Sequence, residues 1–153
     1  MIGVMGPAEA SEKELAAARE VGRLIAERGG IVVCGGRVGV MEAVSRGASE
    51  ADGTVVGILP GFSRDEANRY VTIPIVTGMS HARNAINVWS SDAVIAVGGS
   101  YGTLSEIALA LKAGKPVISF GSWRLDEIGC DSPLFVTAET PERAVSLAFD
   151  SLK

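Results

Sequence analysis

The sequence predicts an α/β protein: a mostly parallel sheet covered by helices on both faces. Three observations predict it. Short apolar runs alternate with segments of helical period along the whole chain, and strands separated by helices pair in parallel. The clearest of those runs, Ala93-Val94-Ile95-Ala96-Val97, is apolar throughout, as a strand buried on both faces must be. Two strand-to-helix junctions are rich in glycine, Gly35-Gly36-Arg37-Val38-Gly39 and Gly98-Gly99-Ser100-Tyr101-Gly102. Together these point to a doubly wound, Rossmann-like sheet in one domain over residues 1–153.

The elements follow in order. Ile2 to Met5 reads as the first strand. Ser11, with Glu14 three residues on, is a capping-box start for a helix whose inner face carries Leu15, Ala18, Val21, Gly22 and Ile25. Gly29-Gly30 stops it. Ile31 to Cys34 is the second strand, Val40 to Ala51 the second helix and Val55 to Leu59 the third strand. A polar loop runs from Pro60 to Arg69. Val71 to Val76 is a weaker strand interrupted by Pro74, which suits a sheet edge. His81 to Ser91 reads as a helix with Ser80 as its N-cap. After the strand at Ala93–Val97, a helix is expected from Leu104 to Ala113, ended by Gly114-Lys115-Pro116. Val117 to Phe120 is the sixth strand and Gly121 to Pro133 a loop. Leu134 to Val136 is a short last strand, and Thr140-Pro141-Glu142 opens the final helix with proline at its favoured first position.

Composition narrows the function. The chain is 153 residues long and 47% hydrophobic, enough to bury a core. A net charge of −4 argues against a nucleic-acid surface built on bulk positive field. No apolar run approaches the roughly 18 residues of a membrane span, and the first ten residues lack the basic start of a signal peptide. Two cysteines, Cys34 and Cys130, are too few for a disulfide framework and read as reduced thiols of a cytoplasmic protein. One histidine and no Cys/His cluster argue against a metal site.

The glycine turns carry the chemistry. In parallel sheets ligands bind at the carboxyl ends of the strands, near the switch in strand order, where both turns lie. A glycine-rich turn opening a helix presents unpaired backbone N–H groups at the positive end of the helix dipole, which is an anion site. Gly35, Gly36, Arg37 and Gly39 in one turn, and Gly99, Ser100, Tyr101, Gly102 and Thr103 in the other, are thus candidate contacts to a phosphate. The first turn is neither a Walker A loop nor the G-x-G-x-x-G dinucleotide motif. Gly98-x-Ser100-x-Gly102 also matches the nucleophile elbow of α/β-hydrolases, but the lone His81 precedes Ser100, against the order of that fold. Glu106 has two readings: the N3 partner of a Thr103 capping box, or a carboxylate at the mouth of the phosphate turn. Arg83, a cation in the first turn of its helix, opposes the dipole, which favours a ligand role. Asn84 beside it is either a surface amide or a ligand contact, and Tyr101 and Trp123 either stack on a base or pack as core or lid. His81 reads as a polar neighbour.

Gly98-Gly99-Ser100-Tyr101-Gly102-Thr103-Leu104-Ser105-Glu106 resembles the P-G-G-x-G-T-x-x-E motif of the LOG-like proteins, which often carry a lysine decarboxylase label. Gly35-Gly36-Arg37-Val38-Gly39-Val40-Met41 is similar to their G-G-x-x-G-x-M turn, and His81-Ala82-Arg83-Asn84 to their H-x-R-K element. The resemblance implies a Rossmann-like fold from Ile2 to about Phe120. It also implies hydrolysis of the N-glycosidic bond of nucleoside 5′-monophosphates to free base and ribose 5-phosphate, with Arg83 and Glu106 catalytic and no required cofactor. Gly98, Ser100 and Asn84 depart from the motif residues proline, glycine and lysine. In its Ala82-Arg83-Asn84 element and its small size the chain looks more like a sister branch that includes molybdenum-cofactor carrier proteins. That branch implies a bound phosphorylated pterin, with the molybdenum cofactor as a carried ligand. The expectation is a cytoplasmic homo-oligomer, dimer or tetramer, that takes a phosphorylated nucleotide-like or pterin-like small molecule and contacts neither membrane nor nucleic acid.

Overall fold

A computed structural model describes residues 1–125, 129 and 132–153. Seven strands form one all-parallel sheet: β1 Ile2–Met5, β2 Val32–Cys34, β3 Val55–Leu59, β4 Ile73–Val76, β5 Ala93–Val97, β6 Val117–Phe120 and β7 Phe135–Ala138. Their order across the sheet is β4-β3-β2-β1-β5-β6-β7. The chain therefore winds outward from β1 to the β4 edge, returns to lay β5 beside β1, and winds outward again. The switch point of this doubly wound sheet lies between β1 and β5, where the connections diverge and leave a crevice.

Helices α1 Glu12–Glu27, α2 Val40–Glu50 and α5 Pro141–Asp150 cover one face, around Val4, Val21, Val44, Ile95 and Val145. Helices α3 Arg83–Trp89 and α4 Tyr101–Lys112 cover the other, around Met5, Val88, Ala96 and Ile107. The Ser11 capping box forms as expected, with Glu14 reaching back to the Ser11 backbone, and Thr140 caps α5 with Pro141 in its first turn. The close approach of α1 and α2 depends on Gly47, since a Cβ there would fall on the Arg19 carbonyl. We expect Gly47→Val to cost roughly 3 kcal/mol, read as a lower urea midpoint at unchanged m-value.

Element boundaries differ from expectation where tertiary contacts decide. The Pro74 strand lies at the sheet edge but starts at Ile73, where its pairing with Val56 begins. The last strand is shifted to Phe135–Ala138 because its register against β6 runs from Val117↔Phe135 to Phe120↔Ala138. Ser80 is not an N-cap: it has φ +49 and opens a single 3₁₀ turn, Ser80–Ala82, so that α3 begins only at Arg83. Helix α4 starts three residues early, at Tyr101, which draws Gly102 and Thr103 into its first turn. Part of the expected Gly121–Pro133 loop, residues 126–128, 130 and 131, lies outside the described residues, Cys130 among them. Among the described residues no helix is long and apolar enough to cross a membrane.

Candidate phosphate-ligand cavity at the sheet switch point

A cavity of about 580 Å³ opens at the carboxyl ends of β1, β2 and β5, within the range of small-molecule sites. Its walls are three strand-to-helix turns and α3. Of the residues expected from sequence, Gly35, Arg37, Arg83, Asn84, Gly99, Ser100, Gly102, Thr103 and Glu106 line it. The structure does not bring Gly36, Gly39 and Tyr101 into the lining. Gly36 and Gly39 take φ +71 and +69, left-handed backbone that glycine adopts without strain. Gly36 packs against Leu59 and Gly57, and Gly39 against the Pro7 and Ala8 carbonyls. They shape the turn from outside the cavity. Tyr101 is 85% exposed and stacks beside Trp123, with centroids 6.2 Å apart.

The β5–α4 turn has the form of a candidate anion site. Ser100 is the N-cap of α4, and its hydroxyl accepts from the Thr103 amide at 3.3 Å and pairs with Thr103 Oγ1 at 3.1 Å. Trp123 Nε1 donates to the Ser100 carbonyl at 3.1 Å and braces the turn. Among the described residues no partner takes the amides of Tyr101 and Gly102, which stand in the first turn of α4 at the positive end of its dipole; of the two residues, Gly102 lines the cavity. The capping role also answers the hydrolase reading. Ser100 sits in relaxed extended backbone, φ −134 and ψ 171, rather than in the strained turn of a nucleophile elbow.

Glu106 is not a cap. The Thr103 amide is already taken by Ser100, and Glu106, only 7% exposed, accepts a hydrogen bond at Oε1 from Asn87 Nδ2 at 2.8 Å. Burial pushes its carboxyl up to about 7, against the lowering effects of the Asn87 donor and the Arg83 charge. Arg83, on the opposite wall, lies over Gly35, where a Cβ would fall on its guanidinium. Its Nη1 donates to the Ile58 carbonyl at 2.8 Å and its Nη2 reaches the Met41 sulfur at 3.9 Å. Burial lowers its pKa, and the Glu106 charge opposes that; an arginine stays charged regardless. The site thus pairs a half-buried cation with a carboxyl poised to gain or lose a proton near neutrality. We expect Gly35→Ala to displace the guanidinium and weaken anion binding about tenfold or more, measured by calorimetric titration with AMP.

Asn84 Nδ2 bonds Ser105 Oγ at 3.1 Å, one residue from Glu106, so it ties α3 to α4 while facing the cavity. Sequence reasoning missed the β1–α1 wall, Gly6, Pro7, Ala8 and Glu9, and the cavity residue Asn87. Gly6-Pro7 directly after a predicted strand was a signal for the former, and the i, i+4 spacing from Arg83 for the latter. Among the described residues no group of His, Cys, Asp and Glu gathers as a metal site. Cys34 is free, buried beneath the first glycine turn and bonded by the Gly36 amide at 3.4 Å.

The model of the SLOG cluster4 family matches residues 1–148. The chain belongs to that family. This SLOG-family chain is similar to the molybdenum cofactor binding protein of the phototrophic bacterium Rippkaea orientalis, at 44% identity and a TM-score of 0.93 over 99% of this chain and 96% of the other. It is similar to the molybdenum cofactor carrier protein of Chlamydomonas reinhardtii, at 44% identity and a TM-score of 0.91 over 99% of this chain and 96% of the other. It also matches the cytokinin riboside 5′-monophosphate phosphoribohydrolase of Mycobacterium tuberculosis at 36% identity over 126 residues, 76% of this chain and 66% of that one. The branch expected from Asn84 and chain size is thus the one whose structures overlay this SLOG protein nearly end to end.

Proposed function

We propose that this protein binds a phosphorylated pterin-like or nucleotide-like small molecule in the switch-point cavity, and that it serves as a molybdenum-cofactor carrier. The observation that carries the reading is one cavity lined both by the first turn of α4, through Ser100, Gly102 and Thr103, and by the half-buried Arg83. Dipole and cation both favour a phosphate there. The near-complete overlay on two molybdenum-cofactor proteins supports the pterin. In this reading the α4 turn and Arg83 hold the phosphate, Arg37 at the rim steers the anion, and the ring system lies toward Glu106 and Asn87. The protein is cytoplasmic and a homo-oligomer, dimer or tetramer. Mixing it with molybdenum cofactor and separating bound from free by gel filtration tests the reading; cofactor in the protein peak supports it.

One observation favours a second reading, a nucleoside 5′-monophosphate phosphoribohydrolase. Glu106, with a carboxyl pushed up to about 7, could stabilise the oxocarbenium-like sugar as the base departs, or orient water against it. Chromatography of AMP, GMP, IMP, CMP and UMP incubated with the protein separates the two. Free base from wild type but not from Glu106→Gln establishes the hydrolase; intact nucleotides leave the carrier.

A further inference from the structure

The two oxygens of Glu106 are not equivalent. Oε1 accepts from Asn87 Nδ2, whereas Oε2 has no hydrogen-bond partner among the described residues and, unlike Asn87 Oδ1, is not sealed from the cavity. Asn87 itself is 1% exposed and sits one helical turn after Arg83 on α3. Its amide is used at one end only, since Oδ1 is buried without a partner. A buried, unpaired carbonyl costs free energy, so the packing that holds Asn87 against α4 secures the Nδ2 donor at the expense of the oxygen. Both α3 amides cross to consecutive α4 residues, Asn84 to Ser105 and Asn87 to Glu106, which registers the Arg83 helix against the Glu106 helix.

We infer that Asn87 is the positioning residue of the site: it pins Oε1 so that Oε2 alone addresses the ligand and carries the exchangeable proton, and it governs how readily that proton leaves. This rests on the cavity being the ligand site. A hydrogen bond donated to a carboxylate favours its ionised form, so Asn87 holds Glu106 closer to ionisation than burial alone would. The other charged or titratable groups around Glu106 are Arg83 on α3, Cys34 beneath the first turn, and Arg37, His81 and Glu9 on the remaining walls. Arg83 supplies the opposing charge. A bound phosphate adds negative charge to the same cavity and so favours the protonated carboxyl, and uptake of the ligand draws a proton onto Oε2.

The test is ¹³C NMR of the full chain with glutamate labelled at the carboxyl carbon, the Glu106 signal being the one absent from Glu106→Gln. In the free protein we expect a Glu106 midpoint near neutrality that rises in Asn87→Leu, where the donor is lost. It should rise further in Asn87→Asp, where two carboxyls share a proton. Asn87→Asp keeps the volume should the leucine variant not fold. A midpoint unmoved in the folded variants overturns the role of Asn87. Adding AMP, with its own phosphate followed by ³¹P, is expected to raise the wild-type midpoint. An AMP that binds and leaves the midpoint in place overturns the proton linkage. An AMP that does not bind counts instead against a nucleotide as the ligand, while the free-protein comparison still decides Asn87.

Discussion

Arg83→Met is expected to weaken binding of a phosphorylated ligand at least about 30-fold while leaving the fold intact, because a half-buried cation that meets an anion contributes roughly 2 kcal/mol or more to the contact. The guanidinium gives up water to sit over Gly35, and in return holds one hydrogen bond to the Ile58 carbonyl and a contact with the Met41 sulfur. No carboxylate pairs with it among the described residues at ion-pair distance, so its charge is left for a ligand. Methionine keeps the length and the apolar contact and deletes the charge. Calorimetric titration with AMP, alongside a urea melt, separates the two effects: affinity should fall and the midpoint should hold. Unchanged affinity would show that the phosphate lies elsewhere.

Glu106→Gln carries the second large effect, and it appears in stability as a function of pH. An ordinary carboxyl loses its proton near 4.5, whereas Glu106 in the fold keeps its proton to about 7. Between those values the folded state binds more protons than the unfolded chain, so stability falls as pH rises through the window. The full penalty, above pH 7, is roughly 3 kcal/mol. Glutamine keeps an oxygen for the Asn87 donor and cannot ionise. The variant should therefore match wild type near pH 4.5 and exceed it by roughly 3 kcal/mol at pH 8. Chemical denaturation at pH 4.5, 6, 7 and 8 reads this directly, and parallel curves for the two proteins would mean that Glu106 is not desolvated. In the hydrolase reading the same variant releases no base.

Much of this site was legible before any coordinates. The two glycine turns, Arg83 and Glu106 stood out because a glycine-rich turn opening a helix is an anion site, a cation in the first turn of a helix opposes its dipole, and Glu106 falls at the mouth of the second turn. The parallel sheet with helices on both faces followed from alternation; its strand order is set by the tertiary pairing of β1 with β5. What sequence could not separate was which glycines face the ligand. Gly36 and Gly39 have the same local signature as Gly35 and Gly102, and only the approach of Leu59, Pro7 and Ala8 reveals that they serve the turn. Glu106 was undecided between cap and site because the Thr103-x-x-Glu106 spacing is real; the helix simply starts earlier, with Ser100 as its cap. Asn87 offered only its i, i+4 spacing from Arg83 as a signal, because its partner lies 19 residues away on another helix, a contact set by how α3 and α4 pack.

In the proposed function one cavity holds the phosphorylated ligand through Arg83 and the α4 turn. The most direct measurement is retention of molybdenum cofactor through gel filtration by wild type and by Arg83→Met. Pterin and molybdenum are expected to elute with the wild-type protein and to be lost from the variant. Cofactor that is absent from both peaks, or retained equally by both, would rule out Arg83 as the phosphate contact of a carried cofactor.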